Sequence, residues 1–128
     1  MAEVVVDASA LVDLLLGGSL GEAVETRLAA HRLHVPAHAE AEVWSALGRL
    51  HRAGEVAAGA VAAMLTRLAA APLERHPVAE LLAGAWSRRH KLRLADAIYV
   101  QLAASLGLPL VTTDRRLGLL PFVDVVGR

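Results

Sequence analysis

The stretch Val4-Val5-Val6-Asp7-Ala8-Ser9-Ala10-Leu11-Val12-Asp13-Leu14-Leu15-Leu16-Gly17-Gly18 changes its hydrophobic period at Asp7. Before it, a continuous β-branched run predicts a short strand over residues 3–7, buried on both faces as in a parallel sheet. After it, Ser9 opens a helical stretch carrying Leu11, Val12, Leu14, Leu15 and Leu16. Gly17-Gly18 ends that helix, as glycine does just beyond a C-terminus. The same alternation recurs outward. A helix is expected over about 20–31, then a short strand Leu33-His34-Val35 closed by Pro36. Helices follow over about 39–53 and 55–71, stopped by Gly54 and Pro72. Leu73-Glu74-Arg75 has the length of a short strand, and helices are expected over about 78–90 and 94–106. Strands over 108–112 and 122–126 complete the chain. Strands separated by helices predict an α/β fold, with a mainly parallel central sheet and helices on both faces. No repeat, linker or low-complexity segment divides residues 1–128, so one domain is expected.

Composition narrows the function classes. Of 128 residues, 55% are hydrophobic and only 3% aromatic, the excess being Ala, Val and Leu. A small domain this apolar buries a good core and is also expected to cover surface with a partner. There is no Cys, which excludes disulfides, thiolate metal sites and a thiol nucleophile, and is compatible with a cytoplasmic location. Thirteen acidic and thirteen Lys and Arg residues balance, so bulk charge predicts affinity for neither nucleic acid nor membrane. No apolar run reaches membrane-spanning length, and no signal peptide is expected.

Four acids stand in apolar surroundings. Asp7 closes Val4-Val5-Val6, Glu42 lies in Ala41-Glu42-Val43-Trp44, Asp96 in Leu94-Ala95-Asp96-Ala97-Ile98-Tyr99, and Asp114 after Leu110-Val111-Thr112-Thr113. Carboxylates there carry a desolvation cost unless something positive or a proton compensates. Each has an ordinary explanation alone: Asp96 complements a helix dipole, Asp114 and Asp7 make Asx turns, Glu42 is solvated. In an open parallel sheet, however, ligands bind outside the carboxyl ends of the strands. Asp7 and Asp114 follow strands, Asp96 falls in a first helical turn, and Glu42 about a turn into its helix, so all four are expected at one edge. Four converging acids without a Lys or Arg partner point to a divalent cation. Oxygen-only ligands suit Mg²⁺ or Mn²⁺ rather than Zn²⁺.

Glu40 competes with Glu42. Two residues on a helix span about 200°, so the two point to opposite faces. Ser45 and Ala46 beside Glu42 leave room for a hydrated ion, whereas Val43, Trp44 and Leu47 crowd Glu40, which is expected to be solvated. Ser9 and Thr112, each two residues from an Asp, are placed to orient carboxylates or metal-bound water. Capping by Ser9 and strand propensity of Thr112 are equally good explanations. The run Arg88-Arg89-His90-Lys91-Leu92-Arg93 precedes Asp96, and Arg115-Arg116 follows Asp114. These cations either solvate helix ends or form a phosphate-contacting rim. Pro36 between His34 and His38 argues against a helical metal pair. Trp44 and Trp86 are expected in the core or an interface, and Asp13 in solvent.

The segments Val-Val-Asp7-Ala-Ser9-Ala-Leu, Val-Pro-Ala-His-Ala-Glu-Ala-Glu42-Val, Leu-Ala-Asp96-Ala-Ile-Tyr-Val and Leu-Val-Thr112-Thr-Asp114-Arg-Arg together resemble the PIN-domain nucleases. Within them the resemblance is to the VapC toxins of type II toxin–antitoxin systems, of the actinobacterial kind, and it runs along almost the whole chain. It implies a PIN-like three-layer sandwich and a Mg²⁺- or Mn²⁺-dependent endoribonuclease. The family's acidic set carries over onto Asp7, Glu42, Asp96 and Asp114, with Ser9 and Thr112 supporting. It also implies a VapB-like antitoxin laid across the acidic cleft, a homodimer and a toxin–antitoxin hetero-oligomer, with RNA as substrate. Two other α/β phosphoryl-transfer layouts fit poorly. A receiver domain needs an acidic pair after its first strand and a Lys after its fifth, and the only Lys is Lys91. A haloacid-dehalogenase-type phosphatase needs an Asp where Ser9 stands. A non-catalytic binding module of the same fold is the remaining rival, and the intact acidic set speaks against it.

Overall fold

A computed structural model describes residues 1–127. Strands β1 (Ala2–Val6), β2 (His31–Pro36), β3 (Leu73–His76), β4 (Leu110–Thr112) and β5 (Val123–Val125) form one sheet in the order β3-β2-β1-β4-β5. Every neighbouring pair is parallel. Val4, Val5 and Val6 are all at most 1% exposed. Successive strand side chains point to opposite faces, so both faces of β1 are covered, which is why its sequence reads as an unbroken apolar run.

The chain adds strands to one side of β1 as far as β3, then crosses to the other side for β4 and β5. The boundary between β1 and β4 is therefore the topological switch point, where successive crossovers diverge and leave a crevice at the carboxyl ends. Val6 pairs with Val111, so Asp7 and Thr112 follow as neighbours on the two flanking strands.

Six helices cover the sheet: α1 (Ala8–Leu16), α2 (Gly18–Leu28), α3 (Ala39–Arg52), α4 (Ala58–Ala70), α5 (Leu82–Trp86) and α6 (Leu94–Leu106). α1 packs against α2, α3 and α4, while α6 packs against α5 and against β1, β2 and β4. Their apolar faces meet the sheet in a core built around Val24, Val43, Leu47, Val100 and Leu102. Gly107 ends α6 in the left-handed conformation, with φ of 66°, which glycine adopts without a side-chain clash. Gly21 lets α2 lie against the end of α1: a Cβ there would stand 2.6 Å from the Asp13 carbonyl oxygen.

Two expected elements differ. The helix expected over 78–90 is a 3-10 turn over Val78–Leu81 followed by the short α5, with turns through Lys91. Only Leu81 and Ala85 are buried in this segment, and the charged run from Arg88 offers no apolar stripe to dock a longer helix. The helix expected over 20–31 ends at Leu28, because Ala30 turns to positive φ and β2 begins at His31. Trp44 and Trp86, expected in the core or an interface, are both exposed.

Candidate active site

A cleft of about 650 Å³ opens at the switch point, and Asp7, Ser9, Glu42, Asp96 and Asp114 line it together with Asp13, Arg49 and Arg116. Asp7 is the deepest acid, 5% exposed. Its Oδ1 accepts from Ser9 Oγ at 2.8 Å and from the Ala10 amide at 3.0 Å, which makes Asp7, rather than Ser9, the cap of α1. Its Oδ2 accepts from Thr112 Oγ1 at 2.5 Å. Burial pushes its carboxyl up to about 6, against the pull of these three donors, and the Asp96 charge adds a little.

Thr112 is fully buried and joins the two strand ends. Besides donating to Asp7, its Oγ1 accepts from the Asp114 amide at 2.9 Å and lies 3.1 Å from Ser9 Oγ. Ser9 and Thr112 thus form a hydroxyl layer beneath the acids.

Glu42 reaches the cleft from the first turn of α3. Its Oε1 accepts from Tyr99 Oη at 2.6 Å, and His38 Nε2 lies 3.1 Å from the same oxygen, off the hydrogen-bond direction. Burial raises this carboxyl, but His38 and Tyr99 outweigh it and hold it below the ordinary glutamate value. Tyr99 is held far above the ordinary tyrosine range by burial and by the Glu42 carboxylate, so its proton stays on the phenol. Glu40 lies on the other side of α3, where Arg75 of β3 grips it in a fork at 2.7 and 3.0 Å. It is paired rather than simply solvated.

Asp96 sits in the first turn of α6, half-buried. Burial raises its carboxyl, Arg116 and Arg93 pull it down, and Asp114 and Glu42 push it back up. Asp114 closes β4 and caps the following 3-10 turn, Arg115–Leu117. Arg116 occupies both its oxygens: the amide and Nε reach Oδ1 at 3.0 Å each, Nε reaches Oδ2 at 3.1 Å, and Nη2 also meets Oδ2. That guanidinium holds Asp114 below the usual carboxylate range.

The four acids share one cleft, yet each is engaged differently. Among the described residues no three acidic or histidine side chains are gathered tightly enough to ligate one ion as they stand. Four carboxylate oxygens are already engaged: Thr112 holds Asp7 Oδ2, Tyr99 holds Glu42 Oε1, and Arg116 holds both oxygens of Asp114. Of the basic residues expected at the rim, Arg116 lines the cleft and Arg93, at the N-terminus of α6, acts on Asp96 and Asp114. Arg88 is turned to Gln101 at 3.1 Å, and Arg89 lies 4.7 Å over the Trp86 ring. Lys91 and Arg115 are exposed and do not line the cleft.

Sequence reasoning missed four contributors. Asp13 is half-buried in the cleft wall and accepts from Thr113 Oγ1 at 2.6 Å, which corrects the expectation of a solvated residue. It lies one helical turn beyond Ser9, a spacing visible in the sequence. Arg49 lies two turns beyond Glu42 on the same face of α3, and that signal was also present. His38 lies one turn before Glu42 at the start of α3, a spacing also visible in the sequence, whereas Tyr99 had no such signal, since its partner comes from another element.

A family model described as the PIN domain matches residues 4–123. The chain belongs to the PIN-domain family, and within it to the VapC group. Ribonuclease VapC3 of Mycobacterium tuberculosis is 56% identical over 116 residues, 90% of this chain and 85% of that protein. A crystal structure of Mycobacterium tuberculosis VapC20, a Sarcin-Ricin loop cleaving toxin, superposes with a TM-score of 0.72 at 19% identity, covering 97% of this chain and 99% of that one. A toxin-antitoxin complex from Klebsiella pneumoniae gives a TM-score of 0.69 at 21% identity, covering 95% and 96%. These two likenesses concern the fold.

Proposed function

We propose that this protein is a divalent-metal-dependent endoribonuclease, the toxin component of a VapBC-type toxin–antitoxin pair. The observation that carries the reading is the donor set of the cleft: Asp7, Glu42, Asp96 and Asp114 supply only hard carboxylate oxygens at the switch point of a parallel sheet. The name of the relative at 56% identity supports RNA as the substrate. Such a set fits Mg²⁺, with Mn²⁺ as substitute, and fits neither a thiolate nor an imidazole metal site. The raised carboxyl of Asp7 fits too, being the response of a buried acid waiting for positive charge. The ion, when bound, would lower the pKa of a water molecule and offset charge on the scissile phosphate.

Asp7, Asp96 and Asp114 would hold the metal, with Ser9 and Thr112 fixing the carboxylate of Asp7 from below. Glu42 has Oε1 occupied by Tyr99, so Oε2 is the oxygen left to orient the attacking water or accept its proton. Arg116 and Arg93 are the cations best placed to meet the phosphate, while Arg88, Arg89, Lys91 and Arg115 would act at longer range. In purified protein, Mg²⁺ or Mn²⁺ should support internal cleavage of single-stranded RNA. Asp96→Asn should lower the rate by at least about a hundredfold, the order seen on losing a charge-stabilising group. Cleavage that persists in chelator, or in Asp96→Asn, would overturn the mechanism.

Arg116 makes a second test. While it grips Asp114 it competes with the cation, and once released it stands beside the phosphate. Arg116→Ala should therefore bind Mn²⁺ a few-fold more tightly by calorimetry while binding RNA more weakly. Exposed ion pairs are individually weak, which keeps the first effect small. A drop in both affinities would refute the competition.

The antitoxin would lie across the same acidic cleft, where an inserted cation meets four carboxylates. Exposed Leu82, Trp86 and Leu94 surround a shallow apolar hollow with Ala85 and Ile98. That surface supports self-association as a homodimer, within a toxin–antitoxin hetero-oligomer. Among the described residues no helix is long and apolar enough to cross a membrane, and action on RNA is best served in the cytoplasm.

A further inference from the structure

The four acids occupy one end of the cleft and leave the rest without a role. α1 packs against α3, and both helices start at the carboxyl edge of the sheet and run away from it. Val12 and Asp13 continue the cleft wall along α1. Ala46, Arg49, Leu50 and Ala53 continue it along α3, about 16 Å past Glu42 at 1.5 Å per residue. This half is an aliphatic slot widened by two alanines, with one acid and one base on its walls.

Both polar groups are available. Thr113 Oγ1 binds Asp13 Oδ2 at 2.6 Å, which fixes the carboxylate and leaves Oδ1 open. Arg49 is exposed and has no carboxylate partner among the described residues, whereas Arg27, Arg32, Arg75 and Arg116 each pair with an acid. A phosphate subsite would collect cations, and a fixed carboxylate in the same slot repels phosphate. An apolar slot edged by one fixed acceptor and one planar fork of donors instead complements a nucleobase. The flat face packs on aliphatic side chains, and the edge is read by hydrogen bonds. Guanine alone offers two adjacent N–H donors, for a carboxylate, beside the O6 and N7 acceptors that Arg reads as a pair.

We propose that the α1–α3 half of the cleft is a nucleobase subsite. It seats an unpaired guanine flanking the scissile phosphate, with Asp13 and Arg49 reading its edge. The assignment rests on the endoribonuclease reading and adds to it the base that selects the cleavage position.

The test is cleavage of a randomised single-stranded RNA library in Mg²⁺, with the cut ends sequenced. The wild-type protein should enrich guanine about tenfold at one fixed position beside the cut, the discrimination of a good bidentate contact. Arg49→Ala and Asp13→Asn should each flatten that bias, whatever rate they retain, and Arg49→Lys should restore part of it. For a variant too slow to sequence, binding of UGU against UAU trinucleotides makes the same comparison, with circular dichroism to show that the fold is kept. Bias unchanged in the variants, or absent from the wild type, would overturn the subsite. Unchanged bias with lost binding of the antitoxin would assign the slot to the protein partner instead. A wild-type protein that cleaves no RNA would overturn the endoribonuclease reading and the subsite together, an outcome distinct from cleavage without bias.

Discussion

Asp7→Asn is expected to abolish RNA cleavage and, in chelator at pH 7, to be more stable than the parent protein. The carboxyl of Asp7 moves from an ordinary value of 3.8 to about 6 on folding, chiefly through burial. Between those values the folded protein keeps a proton that the unfolded chain has released. The Asp7 contribution to the stability of the metal-free protein therefore falls as pH rises from about 4 to about 6 and levels off above. Two pKa units correspond to about 3 kcal/mol. Asn is neutral throughout and removes this loss. Its amide oxygen can keep the Ser9 and Ala10 donors, and its NH₂ can donate to Thr112 Oγ1. The Thr112 proton can then turn to Ser9 Oγ, 3.1 Å away, so each donor that now serves Asp7 keeps an acceptor. Urea unfolding of both proteins at pH 4 and pH 7 checks this. An Asn variant less stable than the parent at pH 7, or a stability difference between the two that does not shift in favour of Asn across this window, would show that Asp7 is not strained by its charge. With Mg²⁺ added the parent alone should gain stability, because only it offers the full ligand set.

Tyr99→Phe should lower kcat for RNA cleavage by about ten- to a hundredfold with KM little changed. The phenol is 3% exposed and donates to Glu42 Oε1 at 2.6 Å. A hydrogen bond to a charged group contributes about 1.5–3 kcal/mol, and each 1.4 kcal/mol or so is tenfold in rate. Phe fills the same space, so the core contacts of α6 remain. What is lost is the hold on one oxygen of Glu42, which frees the carboxylate to rotate away from the water it is proposed to orient. Steady-state kinetics on a short RNA decides between this and a purely structural role. Unchanged kcat, or a rise in KM alone, would count against positioning.

Much of the fold was legible in the chain. Val4-Val5-Val6 and Leu110-Val111-Thr112 announced strands because a strand buried on both faces must be apolar throughout. The α6 helix was readable from Leu94 to Gly107 because its cap is glycine in a conformation other residues avoid. The segment 78–90 misled because it is rich in helix formers and lacks a docking face. Propensity favoured a long helix where packing supports only five residues of α5.

The candidate site was legible to the same depth. Acids that end strands or begin helices must open on one edge of a parallel sheet, and a 200° turn separates Glu42 from Glu40. These are local properties, set by backbone periodicity and by position relative to an element's end, and the sequence by itself determined them. Only the tertiary structure decided which oxygens are free. Thr112 reaches Asp7 across 105 residues and Tyr99 reaches Glu42 across 57. Such contacts depend on strand register and helix approach, which no local pattern encodes. The same holds for Asp13 and Arg49, whose helical spacing was visible but whose shared cleft arises only where α1 packs on α3.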